Sequence, residues 1–455
     1  MSRKKSIDEW ALDYWLLQQY AKLCYRIYYR KVEIKNLDRI PLNKAVLLAP
    51  NHQNALMDAL VFVLNTSMQI VFLARADLFK TKRMSKFMHF LNIMPVYRIR
   101  DGFENVKKND EVFARTTEVL NNRNNPLIIF PEGNHGEYRR LRPLVKGLFR
   151  VAFQAQEPNG TTPAVVILPV GIDYKHYWNF RTTIFVNIGE PIQVSEYYTE
   201  YTENPANAIN RLKDDYAAEL SKLMIDIQTT EYYDLYMHLR EMYNERMKKE
   251  LGITEKSLDA AFRSDKVMID ILNKELSENP ENIIKLNNLV IPYQAEVKNQ
   301  KLRDWVIKKG GFSIPRHLLS LVLYLAGLPV FLFGFVHNIL PFGLTASRVK
   351  NIKDTQFHSS FKFVVSMIVF PVWYLIIGGV LALTHLPILI ILFYIILLPL
   401  TGLLAFTYYI GFRKWLGCLR FLSGKNSVKV KKLVSDRSAI ISMMNDIVRK
   451  HYSNK

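Results

Sequence analysis

The segment Asn51-His52-Gln53-Asn54-Ala55-Leu56-Met57-Asp58 follows an apolar run at residues 45–49. It sets an imidazole and a carboxylate close together just past what reads as a buried strand. With an ordinary pKa of about 6.5, an imidazole can accept a proton near neutrality and hand it on. A carboxylate on its other ring nitrogen fixes the tautomer and stabilises the imidazolium that forms. His52 and Asp58 are typed for that pair. The chemistry it offers is general-base activation of a hydroxyl, which is otherwise a poor nucleophile. No Gly-x-Ser-x-Gly elbow occurs, so the nucleophile would come from the substrate and no covalent enzyme intermediate is expected. A lone histidine near an aspartate is more often structural. The loop setting favours chemistry here, and so does a companion segment about seventy residues on. There Ile128-Ile129-Phe130-Pro131-Glu132-Gly133 ends a second apolar run in a turn carrying a carboxylate and a glycine.

Candidates for holding a phosphate are Arg75, Arg98 and Arg100, since guanidinium groups bind phosphate strongly. In an extended strand Arg98 and Arg100 share one face. The competing reading of this pair is a solvated charge cluster. No metal site, Walker loop or dinucleotide fingerprint is read in the chain, and no cofactor is expected. The two cysteines, Cys24 and Cys418, lie too far apart in sequence to define a disulfide framework.

Several elements must position these groups. Residues 32–203 alternate short apolar runs with helical stretches, which predicts an α/β domain with a mixed sheet flanked by helices. The expected strands are residues 45–49, 69–74, 127–130, 164–170 and 183–188, with a loop and then a helix over residues 51–64. Residues 1–31 read as an amphipathic helix whose aromatics and basic end suit either a bilayer interface or the domain core. No cleavable signal peptide is read there. Residues 204–310 predict a helical extension, opened by Asn204 as N-cap and Pro205 at the first helical position. Ile209, Leu212, Tyr216, Leu220, Leu223 and Ile227 then recur at helical spacing and mark one buried face. A second helix is expected near residues 232–251.

Residues 311–424 predict a membrane region. Residues 363–383 and 386–412 hold no charged residue, and each is long enough to cross a bilayer as a helix. Only Thr384-His385 separates them, so they read as a tight hairpin. Residues 318–336 are also uncharged but carry Gly327, Pro329 and Gly334, which leaves a re-entrant or a spanning segment open. All flanks of these runs are basic, so both outer ends of the hairpin should be cytoplasmic. The first run would then enter and leave on one side. Residues 425–455 read as a basic tail. The chain is an integral membrane protein in this reading, with its catalytic domain on the cytoplasmic face.

The two motifs, in this order and at this separation, resemble the glycerophospholipid acyltransferase family. Members move a fatty acyl group from a thioester to a hydroxyl of a glycerol phosphate. The resemblance covers roughly residues 40–200 and implies His52 as base with Asp58 as its partner. Five residues separate the two here, where the commonest form of the motif has four. Branches with five include one resembling the fungal glycerol-3-phosphate/dihydroxyacetone-phosphate acyltransferases. By the same resemblance, Arg98 and Arg100 fall in the second motif, linked to acceptor binding. Glu132 and Gly133 match the third, associated with binding the glycerol phosphate. Asn134-His135 stands where Thr-Arg often follows, which leaves the acceptor open. Lys146-Gly147 fits the usual continuation of the acceptor side. Val166-Ile167-Leu168-Pro169-Val170-Gly171 resembles the fourth motif, on the acyl-donor side.

The implied partners are a glycerol phosphate or lysophosphatidic acid acceptor, an acyl thioester donor (acyl-CoA or acyl carrier protein) and membrane lipid. The sequence does not set the oligomeric state. A net charge of +20, from 61 Lys+Arg against 41 Asp+Glu, suits anionic partners. Basic residues flanking the membrane runs account for much of it, so no nucleic-acid partner is expected. Two other classes compete: a non-catalytic lipid-binding or tethering protein, in which His52 is expendable, and a thioesterase with water as acceptor. Thioester cleavage without any glycerol phosphate would mark the latter.

Overall fold

The structure is a computed structural model that describes residues 11–41, 43–97, 109–121, 125–136, 138–156 and 164–452. It divides into two compact units. The first comprises Met1–Asp226 with Ile352–Phe363; the second comprises Ile227–Asn351 with Val364–Lys455.

The first unit is built on a sheet of eight strands: β1 (Lys31–Lys35), β2 (Ala45–Pro50), β3 (Val71–Arg75), β4 (Ile93–Val96), β5 (Leu127–Ile128), β6 (Val165–Tyr174), β7 (Thr183–Ile188) and β8 (Ile192–Gln193). Their order is β1-β7-β6-β2-β5-β3-β4, with β8 also on β6. β6, β2, β5, β3 and β4 run parallel to their neighbours, while β7 and β8 pair antiparallel with β6. Parallel strands covered on both faces read as continuous apolar runs, as Ala45-Val46-Leu47-Leu48-Ala49 does with every residue buried. The fold class expected from the sequence is the one observed. β4 is an edge strand and tolerates Pro95, whose missing N–H would interrupt a central ladder. Pro169, inside β6, falls between the β8 pairing at 166–167 and the β7 pairing at 170–174.

Among the described residues the α-helices of this unit are α1 (Leu12–Tyr28), α2 (Leu56–Asn65), α3 (Lys82–Phe90), α4 (Asn109–Asn121), α5 (Gly147–Ala155), α6 (Tyr198–Glu203) and α7 (Pro205–Leu223). Alternate residues of β2 and β6 (Ala45, Leu47, Ala49, Val165 and Ile167) join side chains of α4, α5 and α7 in one apolar core. In α1 Tyr25 and Tyr28 are buried, while Leu12, Trp15, Leu16 and Leu23 stay exposed.

α7 is capped by Asn204, whose side chain accepts from the Asn207 N–H at 3.2 Å. Its periodic face packs inward, and the Tyr216 hydroxyl donates to the Ala49 carbonyl at 2.6 Å. The first unit therefore runs on to Asp226, past the expected boundary at 203. A Cβ added at Gly171 would stand 1.9 Å from the Leu223 carbonyl oxygen. Gly171→Ala must therefore push the end of α7 off the sheet, at a cost of about 3 kcal/mol. A lowered thermal midpoint in detergent is the expected result; an unchanged one would mean that α7 does not seat on β6.

In the second unit α8 (Tyr233–Glu250), α9 (Leu258–Glu278), α10 (Pro280–Asn299) and α11 (Asp304–Lys309) are followed by three long apolar helices. These are α12 (Ile314–Val349), α13 (Phe357–Ala382, whose first turns lie in the first unit) and α14 (Ile388–Gly424), each long and apolar enough to cross a membrane. α12 is one continuous helix despite its internal Pro329 and Pro341. Residues 425–455, set apart above as a basic tail, instead form α15 (Val428–Tyr452). Val430, Leu433, Ile440, Met444 and Ile447 are buried, and Arg437 makes a two-pronged pair with Asp304 at 2.8 and 3.1 Å. The count of basic residues hid this apolar face.

Candidate active site

Because β2, β5, β3 and β4 run parallel, their C-terminal ends share one edge of the sheet, where parallel α/β sheets place their ligands. His52 follows β2, Glu132 follows β5, Arg75 ends β3, and Arg98 and Arg100 come just after β4. Those last two lie outside the described residues.

The His52 loop is clamped before it bends. Asn51 donates from Nδ2 to the Ile172 carbonyl at 3.1 Å and accepts from the Ile172 N–H at 2.7 Å. Between His52 and Asp58, Ala55 has φ 46 and ψ −126, an unusual conformation for a residue with a Cβ. α2 then begins and places Asp58 in its first turn, where the helix dipole favours a carboxylate. Asp58 is fully buried. Its Oδ2 lies 2.9 Å from His52 Nδ1 and accepts from the Gln53 and Asn54 N–H groups at 2.9 and 2.7 Å. Its Oδ1 accepts from the Tyr174 hydroxyl at 2.8 Å. Facing this acceptor, His52 Nδ1 carries its proton, which leaves Nε2 as the basic nitrogen. The imidazole stacks on Phe130 with ring centroids 3.9 Å apart.

Glu132 is also buried, and both its oxygens are engaged. Oε1 accepts from the His52 N–H at 2.9 Å, and Oε2 accepts from Arg142 Nε at 2.6 Å. Burial raises its carboxyl above the ordinary range although Arg142 and the His52 N–H act the other way. The expected acceptor-side carboxylate thus braces the backbone of His52. Gly133 follows at φ 65, the left-handed turn that glycine adopts without strain. Glu132→Gln keeps the shape of the side chain and removes the charge facing Arg142. We expect kcat to fall about tenfold through a displaced His52, with little change in the acceptor KM. A raised acceptor KM at unchanged kcat would return Glu132 to substrate binding.

Arg75 pairs with Asp77 through Nε at 3.1 Å and Nη2 at 2.5 Å, on a strand two removed from β2. Lys146 is exposed at the N-terminal end of α5. Three partners of the site gave no signal as such in the sequence: Phe130, Arg142 and Tyr174. His135, visible there only as a departure from the motif, lies 5.5 Å from the His52 ring and meets Phe357 edge-on at 4.6 Å. Burial, then the neighbouring His52, lowers its pKa to about 4, so it stays neutral through the physiological range. Phe357 opens α13, in the stretch Ile352–Phe363 that belongs to the first unit. There the Ser359 hydroxyl donates to the Tyr177 carbonyl, and Lys362 Nζ donates to the Trp178 carbonyl at 2.9 Å.

Residues 31–173 match the model of the family described as Acyltransferase. The match covers under a third of the chain, and among the described residues three helices long and apolar enough to cross a membrane follow it. Among curated proteins it is similar to glycerol-3-phosphate O-acyltransferase 1 of Saccharomyces cerevisiae, 23% identical over 210 residues, 46% of this chain and 26% of the relative. It is also similar to glycerol-3-phosphate O-acyltransferase 2 of the same yeast, 25% identical over 267 residues, 54% of this chain and 35% of the relative. The matched stretch thus spans about a quarter to a third of those relatives' own length. Among solved structures, the 1-acyl-sn-glycerophosphate acyltransferase of Thermotoga maritima aligns with a TM-score of 0.30 and 19% identity. That alignment covers 44% of this chain and 79% of the other.

Proposed function

We propose that this protein is a membrane-bound glycerolipid O-acyltransferase. It transfers a fatty acyl group from an acyl thioester to a hydroxyl of glycerol-3-phosphate or 1-acyl-glycerol-3-phosphate. The observation that carries this is the His52–Asp58 pair, 2.9 Å apart at the carboxyl edge of an acyltransferase-family domain. The names of the yeast relatives support the acceptor class.

In this reading His52 Nε2 takes the acceptor's hydroxyl proton as that oxygen attacks the thioester carbonyl. Asp58 holds the ring and balances the imidazolium charge. The tetrahedral intermediate then collapses: the carbon–sulfur bond breaks, the imidazolium protonates the leaving thiolate, and an ester remains on the acceptor. No covalent acyl-enzyme is formed and no cofactor takes part. Arg98 and Arg100 are proposed to bind the acceptor phosphate, with Arg75 and Lys146 as further cations on the acceptor side. The basic flanks of the apolar helices support a catalytic domain on the cytoplasmic face, within reach of a soluble thioester.

The test is an assay of the purified protein against glycerol-3-phosphate, dihydroxyacetone phosphate and 1-acyl-glycerol-3-phosphate, with acyl-CoA and acyl carrier protein as donors. A phosphorylated acceptor is expected to be acylated. Neutralising Arg98 or Arg100 should raise the acceptor KM about tenfold or more while donor affinity holds. The reverse split would place these arginines on the donor's phosphates.

A further inference from the structure

The chain between the two parts of the first unit, residues 227–351, holds one helix long and apolar enough to cross a membrane: α12. Both parts belong to one compact body. Ser359 and Lys362 bond to Tyr177 and Trp178, and Phe357 packs on His135 beside His52. A single crossing by α12 would put residues 352–363 on the opposite face from the catalytic loop they touch. The same reasoning constrains α13 and α14. α15, which follows them, packs among α9 and α10, which precede α12, and Lys450 pairs with Glu275 at 2.9 Å. The three apolar helices together must cross an even number of times.

We infer that α12 is a re-entrant helix that dips into the bilayer and returns to the catalytic face, and that only the α13–α14 hairpin crosses. This rests on the membrane region of the proposed function.

The contacts of α12 locate its deepest point. It descends antiparallel to α14: His317 meets Trp415, Tyr324 meets Tyr408 and Phe412, and Asn338 Nδ2 donates to the Leu398 carbonyl at 3.1 Å. A Cβ at Gly334 would stand 2.2 Å from the Thr401 carbonyl oxygen, so the two helices touch backbone to backbone there. Leu398 lies near the centre of the uncharged run 386–412, so Asn338 sits near mid-bilayer. From Asn338 to Arg348 is about 15 Å along a helix, half of a hydrocarbon core of about 30 Å. The remaining turns are long enough to reach either face, and the packing of residues 352–363 within the first unit requires the starting one.

The turning point is chemically prepared. Pro341 has no N–H, so it leaves the His337 carbonyl without its helical donor, and proline bends a helix at such a place. An unsatisfied carbonyl inside a membrane is costly. Trp373 of α13 supplies the missing donor, with Nε1 at 2.8 Å from that carbonyl. The Tyr374 hydroxyl donates to Asn338 Oδ1 at 2.6 Å, and the Tyr394 hydroxyl lies 2.7 Å from His337 Nε2. Both helices of the hairpin thus hold the apex of α12 through side chains whose polar groups satisfy one another.

The experiment uses the full chain with Cys24→Ser and Cys418→Ala, and single cysteines at exposed Ser195, Lys353, Thr384 or Lys429. Labelling by a membrane-impermeant maleimide is compared in sealed and permeabilised cells, each variant being checked for retention in carbonate-washed membranes. Positions 195, 353 and 429 are expected to behave alike and 384 oppositely. Position 353 opposite to 195 would make α12 a true span and overturn the inference, as would 384 matching 195. If 195, 353 and 429 are labelled from outside and 384 is protected, α12 is still re-entrant. The cytoplasmic placement of catalysis then fails instead.

Discussion

His52→Ala is expected to lower kcat by about two or more orders of magnitude while the protein stays folded and in the membrane. The residue lies on a loop whose shape is fixed by other groups: the Asn51 clamp on Ile172, the N–H groups held by Asp58, and Glu132. Truncation removes a ring stacked on Phe130 but leaves those bonds in place. A loss of activity without a change in thermal midpoint would therefore belong to the chemistry. Near wild-type turnover would mean that the imidazole is structural, and the tethering reading would take over.

Asp58→Asn is expected to be at least as severe, and for two reasons that can be separated. The carboxylate accepts from His52 Nδ1, two backbone N–H groups and Tyr174. An amide offers one oxygen and turns an NH2 group toward donors that need an acceptor. The imidazole then loses both its tautomer and its counter-charge, which should reduce kcat by about three orders of magnitude. Leaving buried donors unsatisfied should also lower stability by about 1–3 kcal/mol. Tyr174→Phe removes one of these donors and leaves the carboxylate and the ring in place, so its loss should be much smaller. If Asp58→Asn were mild in both activity and stability, His52 would be held by something other than this carboxylate.

The sequence made the strand ends legible because the central strands are buried on both faces. Continuous apolar runs marked β2, β3, β5, β6 and β7 within a few residues. β1 was not legible because Lys31, Glu33 and Lys35 interrupt its short run, nor was β4, an edge strand carrying Pro95. His52 and Asp58 could be singled out from residue type, spacing and family resemblance. The positive φ of Ala55 between them could not, because an alanine carries no signal for that conformation. Tyr174 stands 116 positions from Asp58, and only the pairing of β6 with β2 brings them together. Arg142 and the segment Ile352–Phe363 are likewise placed by tertiary packing, with no periodicity to announce them. In the membrane region, Gly327, Pro329 and Gly334 suggested a broken segment. The helix continues through all of them and through Pro341.

The central claim is that His52 activates a substrate hydroxyl for attack on a thioester. Purified protein in liposomes, given acyl-CoA and a phosphorylated glycerol acceptor, allows released thiol and newly formed ester to be counted together. The account predicts one thiol per ester, both dependent on the acceptor and both nearly abolished by His52→Ala. Thiol release at the same rate without acceptor, or ester formation that survives His52→Ala, would contradict it.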